Sequence, residues 1–411
     1  MRRDQGPSVA VVGGSIAGCA AALAARRAGA GAITVHERAG GALDSRGVGI
    51  ALHDDRYAEL AGAGYVDASM PWVQMTTRHW YVRDDAASPL GRRLWAQPFP
   101  FRTYNWGSLW RELRRRVPSD VDVRAGSPVR EVAAAPDGDG VLIRAGDGPA
   151  ERFDLVVGAD GYRSVVRAAA CGDVLPQYAG YTAWRGAFPV DRLSAPGRWP
   201  EDECAYVVFP GGHLIVYRIP AHAGAGQHAN WVLYATPPPG HAPAPDSPVS
   251  LPPGTAPQPL RDRLGYIAEE LLPPYWGELV RLTTAEELIL QPLYDFTAER
   301  YTAPGMALTG DAATVARPHT GAGAVKALQD ATALEAALTG APDVAAALAA
   351  YDADRAPVGR TMVTLGRRLG RELVERTPDW PSMDRAALEA WWGAMDGAGA
   401  FGGRSIARDG D

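Results

Sequence analysis

Ser8-Val9-Ala10-Val11-Val12-Gly13-Gly14-Ser15-Ile16-Ala17-Gly18 runs from a short apolar stretch into a glycine turn, and the alanine-rich residues 15–28 then favour a helix. Residues 32–36 make a second β-like run that ends in Glu37. Strand, glycine turn, helix and strand within about 30 residues form a βαβ unit with a right-handed crossover. Gly13 permits the tight turn, and Gly18 lets the helix pack closely on the sheet. The helix amino end then offers free N–H groups to a pyrophosphate. Ser15 takes the place of the second glycine of the dinucleotide fingerprint, with a small side chain whose hydroxyl can itself bond phosphate. Glu37 falls near the ~20-residue spacing of a ribose-binding acid. Gly13, Gly14, Ser15, Ala17, Gly18 and Glu37, extended by Arg38, Arg46 and Gly47, are the first candidate cofactor-binding set. A hydrolase nucleophile elbow is rejected, because Ala17 stands where G-x-S-x-G needs its last glycine.

Outward from this unit, residues 106–117 read as a helix and 121–124 as a strand. Residues 129–134 and 141–144 flank Asp137-Gly138 as a hairpin. Residues 153–158 read as a buried strand, followed by a helix over 162–170. From Tyr178 to Ala235 aromatic and aliphatic residues alternate, which suits a mostly antiparallel sheet. Ten prolines between Pro237 and Pro259 mark a surface loop. Parallel-sheet character returns at 306–309, with helices expected over 323–338 and 343–356. The 411-residue chain carries 47 acids against 41 bases, a net charge of −6, which argues against nucleic-acid or anionic-membrane partners. The apolar run at 9–25 is broken by glycines and too short for a membrane span. Cys19, Cys171 and Cys204 form no CxxC pair, so a reducing cytoplasm is expected. His222 and His228 lack a third ligand, and no metal is expected.

Two later segments repeat an acid–glycine signal. Asp154-Leu155-Val156-Val157-Gly158-Ala159-Asp160-Gly161 closes one strand, and Leu308-Thr309-Gly310-Asp311-Ala312-Ala313 closes another. The latter leads into Arg317-Pro318-His319-Thr320-Gly321-Ala322-Gly323. Together with the Gly13 turn, these resemble the three fingerprints of the class A flavoprotein monooxygenases, the p-hydroxybenzoate hydroxylase fold, from about residue 8 to 356. Tyr178-Ala179-Gly180-Tyr181-Thr182-Ala183-Trp184-Arg185-Gly186 and the Pro318–Gly323 segment are similar to the 2,6-dihydroxypyridine 3-monooxygenase-like branch. The resemblance implies an α/β chain, α+β overall. In it a Rossmann-type FAD domain (residues 1–72, 101–177 and 292–376) is interrupted by a mostly antiparallel β-sheet substrate domain (73–100 and 178–291). C-terminal helices follow, and residues 377–411 form a peripheral segment.

The resemblance further implies FAD, NADH or NADPH as electron donor, and O2. It also implies ring hydroxylation of a small aromatic or heteroaromatic substrate through a flavin hydroperoxide. It assigns Asp160, Asp311, Pro318, Gly321, Ala322 and Gly323 to the flavin. Trp106 stands where many relatives have an FAD-contacting arginine, making Arg111 the substitute candidate, and Thr314 replaces a frequent histidine. Substrate activation needs a base or a positive field. His319 is the first candidate, with Arg185 and Tyr217 behind it, while Trp184, His213 and Trp231 are expected to touch substrate. Lys326, the only lysine, sits beside the same loop. A same-fold enzyme acting on a larger indolic or polycyclic natural product is the alternative, and a non-catalytic FAD-binding module is the rival from another class. The chain is compatible with a homodimer.

Overall fold

The computed structural model describes residues 6–41, 43, 49–84, 86, 88–172, 174–221, 226–242, 250–396 and 401–403. The βαβ unit forms as the sequence predicts: strand Ser8–Val12, helix Ile16–Arg27, strand Ala32–Glu37. The first strand lies at the centre of a six-stranded sheet, parallel to Leu155–Gly158 on one side and Ala32–Glu37 on the other. Asp122–Ala125 and Met306–Leu308 extend it in parallel. Val9 to Val12 and Leu155 to Gly158 are buried throughout, as expected for parallel strands covered by helices on both faces. The hairpin at Val129–Ala134 and Val141–Ala145 gains a third strand, Ala150–Phe153.

The alternating segment folds into a nine-stranded sheet, antiparallel except where Glu203–Phe209 runs parallel to Val73–Val82. Its two faces bury different cores. One face carries Tyr181, Ala183, Cys204, Tyr206, Ile215, Val232 and Tyr234. The other carries Trp184, Phe188, Ala205, Val207, Leu214, Val216, Trp231 and Leu233 against the helices Gln258–Tyr266 and Pro274–Arg281. Side chains in a strand alternate between faces, so neighbouring residues in one strand belong to different cores.

Four expectations are corrected. Strand Arg92–Asn105 runs past the expected domain boundary at 100, and Gly49–His53, placed in the first domain, pairs with it at the edge of the large sheet. The helix expected to stop before Pro357 continues as Val344–Gly370. A mid-helix proline costs about 3 kcal/mol. Burial of Met362, Leu365 and Leu369 beyond it offsets this, at about 1.5–3 kcal/mol for each side chain. The segment expected to be peripheral buries Trp380, Leu388 and Trp392 in the first face's core. Finally, the proline-rich stretch is not all loop: Leu251 bridges to Leu290, and a helix starts at Gln258.

Candidate cofactor and active site

A crevice of ≈ 480 Å³ opens at the carboxyl ends of the central parallel strands, where Gly13, Ser15, Ala17, Glu37, Arg38 and Asp160 line it. The turn leaves no room for larger residues. Gly13 has φ +105°, and a Cβ there would lie 2.3 Å from the Ala159 carbonyl oxygen. A Cβ on Gly18 would lie 1.8 Å from the Gly13 carbonyl oxygen. The Gly14 N–H donates to Glu37 Oε2 at 2.8 Å, and the Ala39 N–H donates to Oε1 at 2.8 Å, so backbone on both sides fixes the carboxylate. Asp160 Oδ2 accepts from the Val165 N–H at 2.8 Å, while its Oδ1 is buried without a partner among the described residues. Burial pushes this carboxyl above the usual range. A polar, glycine-floored crevice with an unsatisfied acceptor fits a hydroxyl-rich phosphate ligand.

Trp106 lines the crevice where an arginine contact was in question, and Arg111 is instead bonded to Ser108 Oγ at 3.2 Å. Trp110, from the same helix, donates its Nε1–H to the Gly14 carbonyl at 2.9 Å. Arg46 and Gly47 lie outside the described residues, as does His222. His36 also lines the crevice, its Nδ1 2.9 Å from Ser127 Oγ and its Nε2 without a partner among the described residues. Nothing in a β-like run distinguishes such a histidine from core.

Ile50, Asp311, Gly323 and Ala324 also wall a second cavity of ≈ 350 Å³, so the two spaces share a border. Asp311 lies deep in the protein, yet its side chain is exposed to this shared space. Burial raises its pKa, and Lys326 opposes the shift. The second cavity is bounded by Pro318, His319, Gly321, Ala322 and Gly323 on one side and by the large sheet on another. Gly321 turns the chain at φ +63° before the helix Gly323–Gly340 begins. The sheet presents Arg185, Tyr206, Ile215, Tyr217, Val232 and Tyr234. Strand pairing selects this set, since Arg185 pairs with Val232, Val232 with Ile215 and Ile215 with Tyr206.

Arg185 donates from Nε to Gln291 Oε1 at 2.7 Å, and its two terminal nitrogens have no partner among the described residues. Tyr217 donates its hydroxyl to the Gly49 carbonyl at 2.9 Å, and burial pushes its pKa up. His319 is buried with Nε2 2.6 Å from the Tyr181 hydroxyl, and its Nδ1 has no partner among the described residues. Burial, His213, Arg317 and Arg185 together hold its pKa well below the ordinary value. Such an imidazole is neutral at pH 7 and a weak base.

Three expected substrate contacts lie elsewhere. Trp184 and Trp231 are on the opposite face of the sheet, one residue out of phase with Arg185 and Val232, and Trp231 Nε1 donates to Thr283 Oγ1 at 2.9 Å. His213 is on the correct face but sits behind the wall, stacked on Tyr234 at 4.9 Å with Nδ1 3.3 Å from the Leu373 carbonyl. Burial pushes its pKa down to about 3. Lys326 lines the cavity but is ion-paired with Asp330 at 2.5 Å. That carboxylate also holds Arg355 at 2.8 Å and the Gly310 N–H at 2.9 Å. Phe99, Phe101 and Phe401 complete the wall and carried no site signal in the sequence.

A family model for an FAD binding domain matches residues 280–365, which include the Gly310-Asp311 and Pro318–Gly323 segments. A 3-amino-4-hydroxybenzoate 2-monooxygenase from Streptomyces platensis is 31% identical over 386 residues, covering 91% of this chain and 90% of that protein. The chain belongs to the FAD-dependent aromatic monooxygenases. A 2,6-dihydroxypyridine 3-monooxygenase from Paenarthrobacter nicotinovorans is 29% identical, covering 89% of this chain and 91% of that protein. The solved structure of 2,6-dihydroxypyridine-3-hydroxylase from Arthrobacter nicotinovorans matches with TM-score 0.77 and 25% identity, over 92% of this chain and 96% of that one. The class A flavoprotein assignment holds. As in that family, this monooxygenase uses FAD, with NADH or NADPH as electron donor and O2 as oxygen source. Among the described residues no helix is long and apolar enough to cross a membrane. No group of three His, Cys, Asp or Glu side chains among them can hold a metal ion.

Proposed function

We propose that this monooxygenase hydroxylates a small, electron-rich aromatic or heteroaromatic ring that carries an anionic oxygen, held by Arg185 in the ≈ 350 Å³ cavity. The observation that carries this reading is an arginine with two terminal nitrogens unused among the described residues, on a sheet face that presents mainly Tyr206, Ile215, Tyr217, Val232 and Tyr234. A cation in such a wall binds an anion through charge-assisted hydrogen bonds that water would weaken. The names of the relatives point the same way, since both are described as acting on rings with hydroxyl groups.

Gly13, Gly14, Ser15, Ala17 and Gly18 receive the FAD pyrophosphate, and Glu37 with Arg38 the adenosine ribose. Asp160 and Asp311 bond the flavin's hydroxylated chain, while Pro318, Gly321, Ala322 and Gly323 flank its ring. Bound there, FAD supplies the oxygen-transfer chemistry. The chain's own residues orient the ring, exclude water and fix its charge. Arg185 favours the ionised ring. Tyr217, committed to Gly49, shapes the wall, and neutral His319 positions Tyr181 instead of taking a proton. The half built on the parallel sheet thus serves FAD, and the nine-stranded sheet, with Gly49–His53 and the whole of Arg92–Asn105 in it, covers the substrate.

The test is NAD(P)H oxidation by the FAD-loaded enzyme with hydroxypyridines, hydroxybenzoates and the corresponding neutral benzamides. Anionic rings are expected to stimulate turnover and to leave with one added oxygen. Stimulation by neutral polycyclic rings alone would overturn the reading in favour of a larger natural product.

A further inference from the structure

Arg78 stands on strand Val73–Val82, beside Cys204 of the parallel neighbour strand. It is only 2% exposed, and among the described residues no carboxylate pairs with it and neither Nε nor Nη1 has a hydrogen-bond partner. Its guanidinium lies in a cage of rings: Trp392 at 4.2 Å, Tyr206 at 4.7 Å, Phe401 at 5.0 Å, Phe99 at 5.2 Å and Trp80 at 5.4 Å from the centroids. Tyr206, Phe99 and Phe401 are at the same time walls of the substrate cavity. Buried arginines ordinarily pair with an acid, because an isolated charge out of water is costly. Ring faces attract the cation without cancelling its charge.

Apart from Arg185, the other cations around the cavity each have a carboxylate in contact. Lys326 and Arg355 share Asp330, and Arg317 is paired with Asp295 and Glu375. The titratable groups facing Arg78 are Tyr206 and Cys204, both pushed up by burial and neutral at pH 7. Among the described residues, Arg78 and Arg185 are therefore the two arginines in or directly behind the sheet wall of the cavity that have no carboxylate partner, and Asp311 is the carboxylate at its cofactor end.

We propose that Arg78 is a specificity-determining charge of the substrate cavity, favouring from behind the aromatic wall the anionic over the neutral form of a ring bound beside Arg185. This rests on the cavity taking such a ring. Because three of the caging rings separate Arg78 from the ligand, it acts through space and not by contact. Its field reaches the cavity because aromatic rings, and not solvent, surround the guanidinium, which screens it less than water would.

The probe is 4-nitrophenol, whose phenolate is yellow and whose two charge states have one shape. It is titrated with pH into oxidised, FAD-loaded enzyme in the absence of NAD(P)H. Wild-type enzyme is expected to bind the phenolate in preference to the phenol. Arg78→Met should weaken phenolate binding about tenfold and leave phenol binding unchanged, while Arg78→Lys retains most of the preference. Arg185→Met, which leaves Arg78 in place, should keep a residual preference of about tenfold, so the test does not depend on Arg78→Met folding. Equal weakening of both forms in Arg78→Met, or no residual preference in Arg185→Met, overturns the role of Arg78 while leaving the cavity assignment intact. Failure of the wild type to bind either form overturns the cavity assignment and the proposal together.

Discussion

The two spaces that meet at Asp311 are built in opposite ways. The crevice on the Gly13 side is made by backbone turning at strand ends, and the βαβ unit decides its floor: Gly13 by its φ, Gly18 by its contact with Gly13, Glu37 by the Gly14 and Ala39 N–H groups. The cavity on the Arg185 side is made by side chains on one face of a sheet, drawn from strands far apart in the chain and brought together only by register. A local device tolerates almost no substitution but is readable as a motif. A register device tolerates substitution within one face and becomes readable only once a single residue fixes the parity.

The sharpest way to break that contrast is Gly18→Val. Its side chain would meet backbone, not a movable side chain, so overpacking costs at least about 1–3 kcal/mol. The variant is expected to retain no FAD, measured as flavin released per protein on denaturation. Wild-type flavin content would remove the turn from the cofactor site. Next comes Trp231→Ala, which should cost about 3–5 kcal/mol in denaturant unfolding while leaving KM for the ring unchanged. A raised KM with intact stability would place Trp231 on the cavity face after all.

Arg185→Gln should raise KM for an anionic ring by roughly 10–100-fold, the equivalent of a lost charge-assisted bond of about 1.5–3 kcal/mol, with full FAD occupancy. An unchanged KM would dismiss Arg185 as the anchor. The smallest effect tests the histidines behind the wall. His213 is held down to about 3 and His319 also well below its ordinary value, so the folded state resists protonation that the unfolded chain accepts near pH 6.5. Stability is then full above about pH 6.5 and falls as pH drops toward 5, by up to about 1.4 kcal/mol per pH unit for each histidine. His213→Leu should flatten Tm between pH 6.5 and 5, and an unaltered slope would show that His213 is not held neutral.

The same contrast explains what the sequence disclosed. The βαβ unit, the Gly310-Asp311 strand end and the Pro318–Gly323 loop are local patterns: Gly13, Ser15, Ala17 and Glu37 line the crevice, Asp311 and Gly323 its border, and Pro318, Gly321 and Ala322 the second cavity. The alternation over Tyr178 to Ala235 announced a sheet but not which parity faces the ligand, so Trp184 and Trp231 were expected beside Arg185 although adjacency in sequence or pairing put them out of phase. Arg185, taken as an anchor and carried through its pairings, would have selected Val232, Ile215 and Tyr206. Other features depend on tertiary packing that leaves no local trace. Pro357 reads as a helix stop, yet the helix runs through it, and Phe401, in a segment expected to be peripheral, packs into the core of the large sheet.

Lys326 has one further consequence. It is the only lysine in the chain, and it lies buried under Gly310 and clasped by Asp330. The native surface therefore offers amine-directed reagents no lysine side chain. One additional amine becomes reactive when the helix Gly323–Gly340 lifts from the sheet. Counting labels per molecule with an amine-reactive dye then times the opening of the flavin loop's foundation, in a background with no other lysine to obscure it.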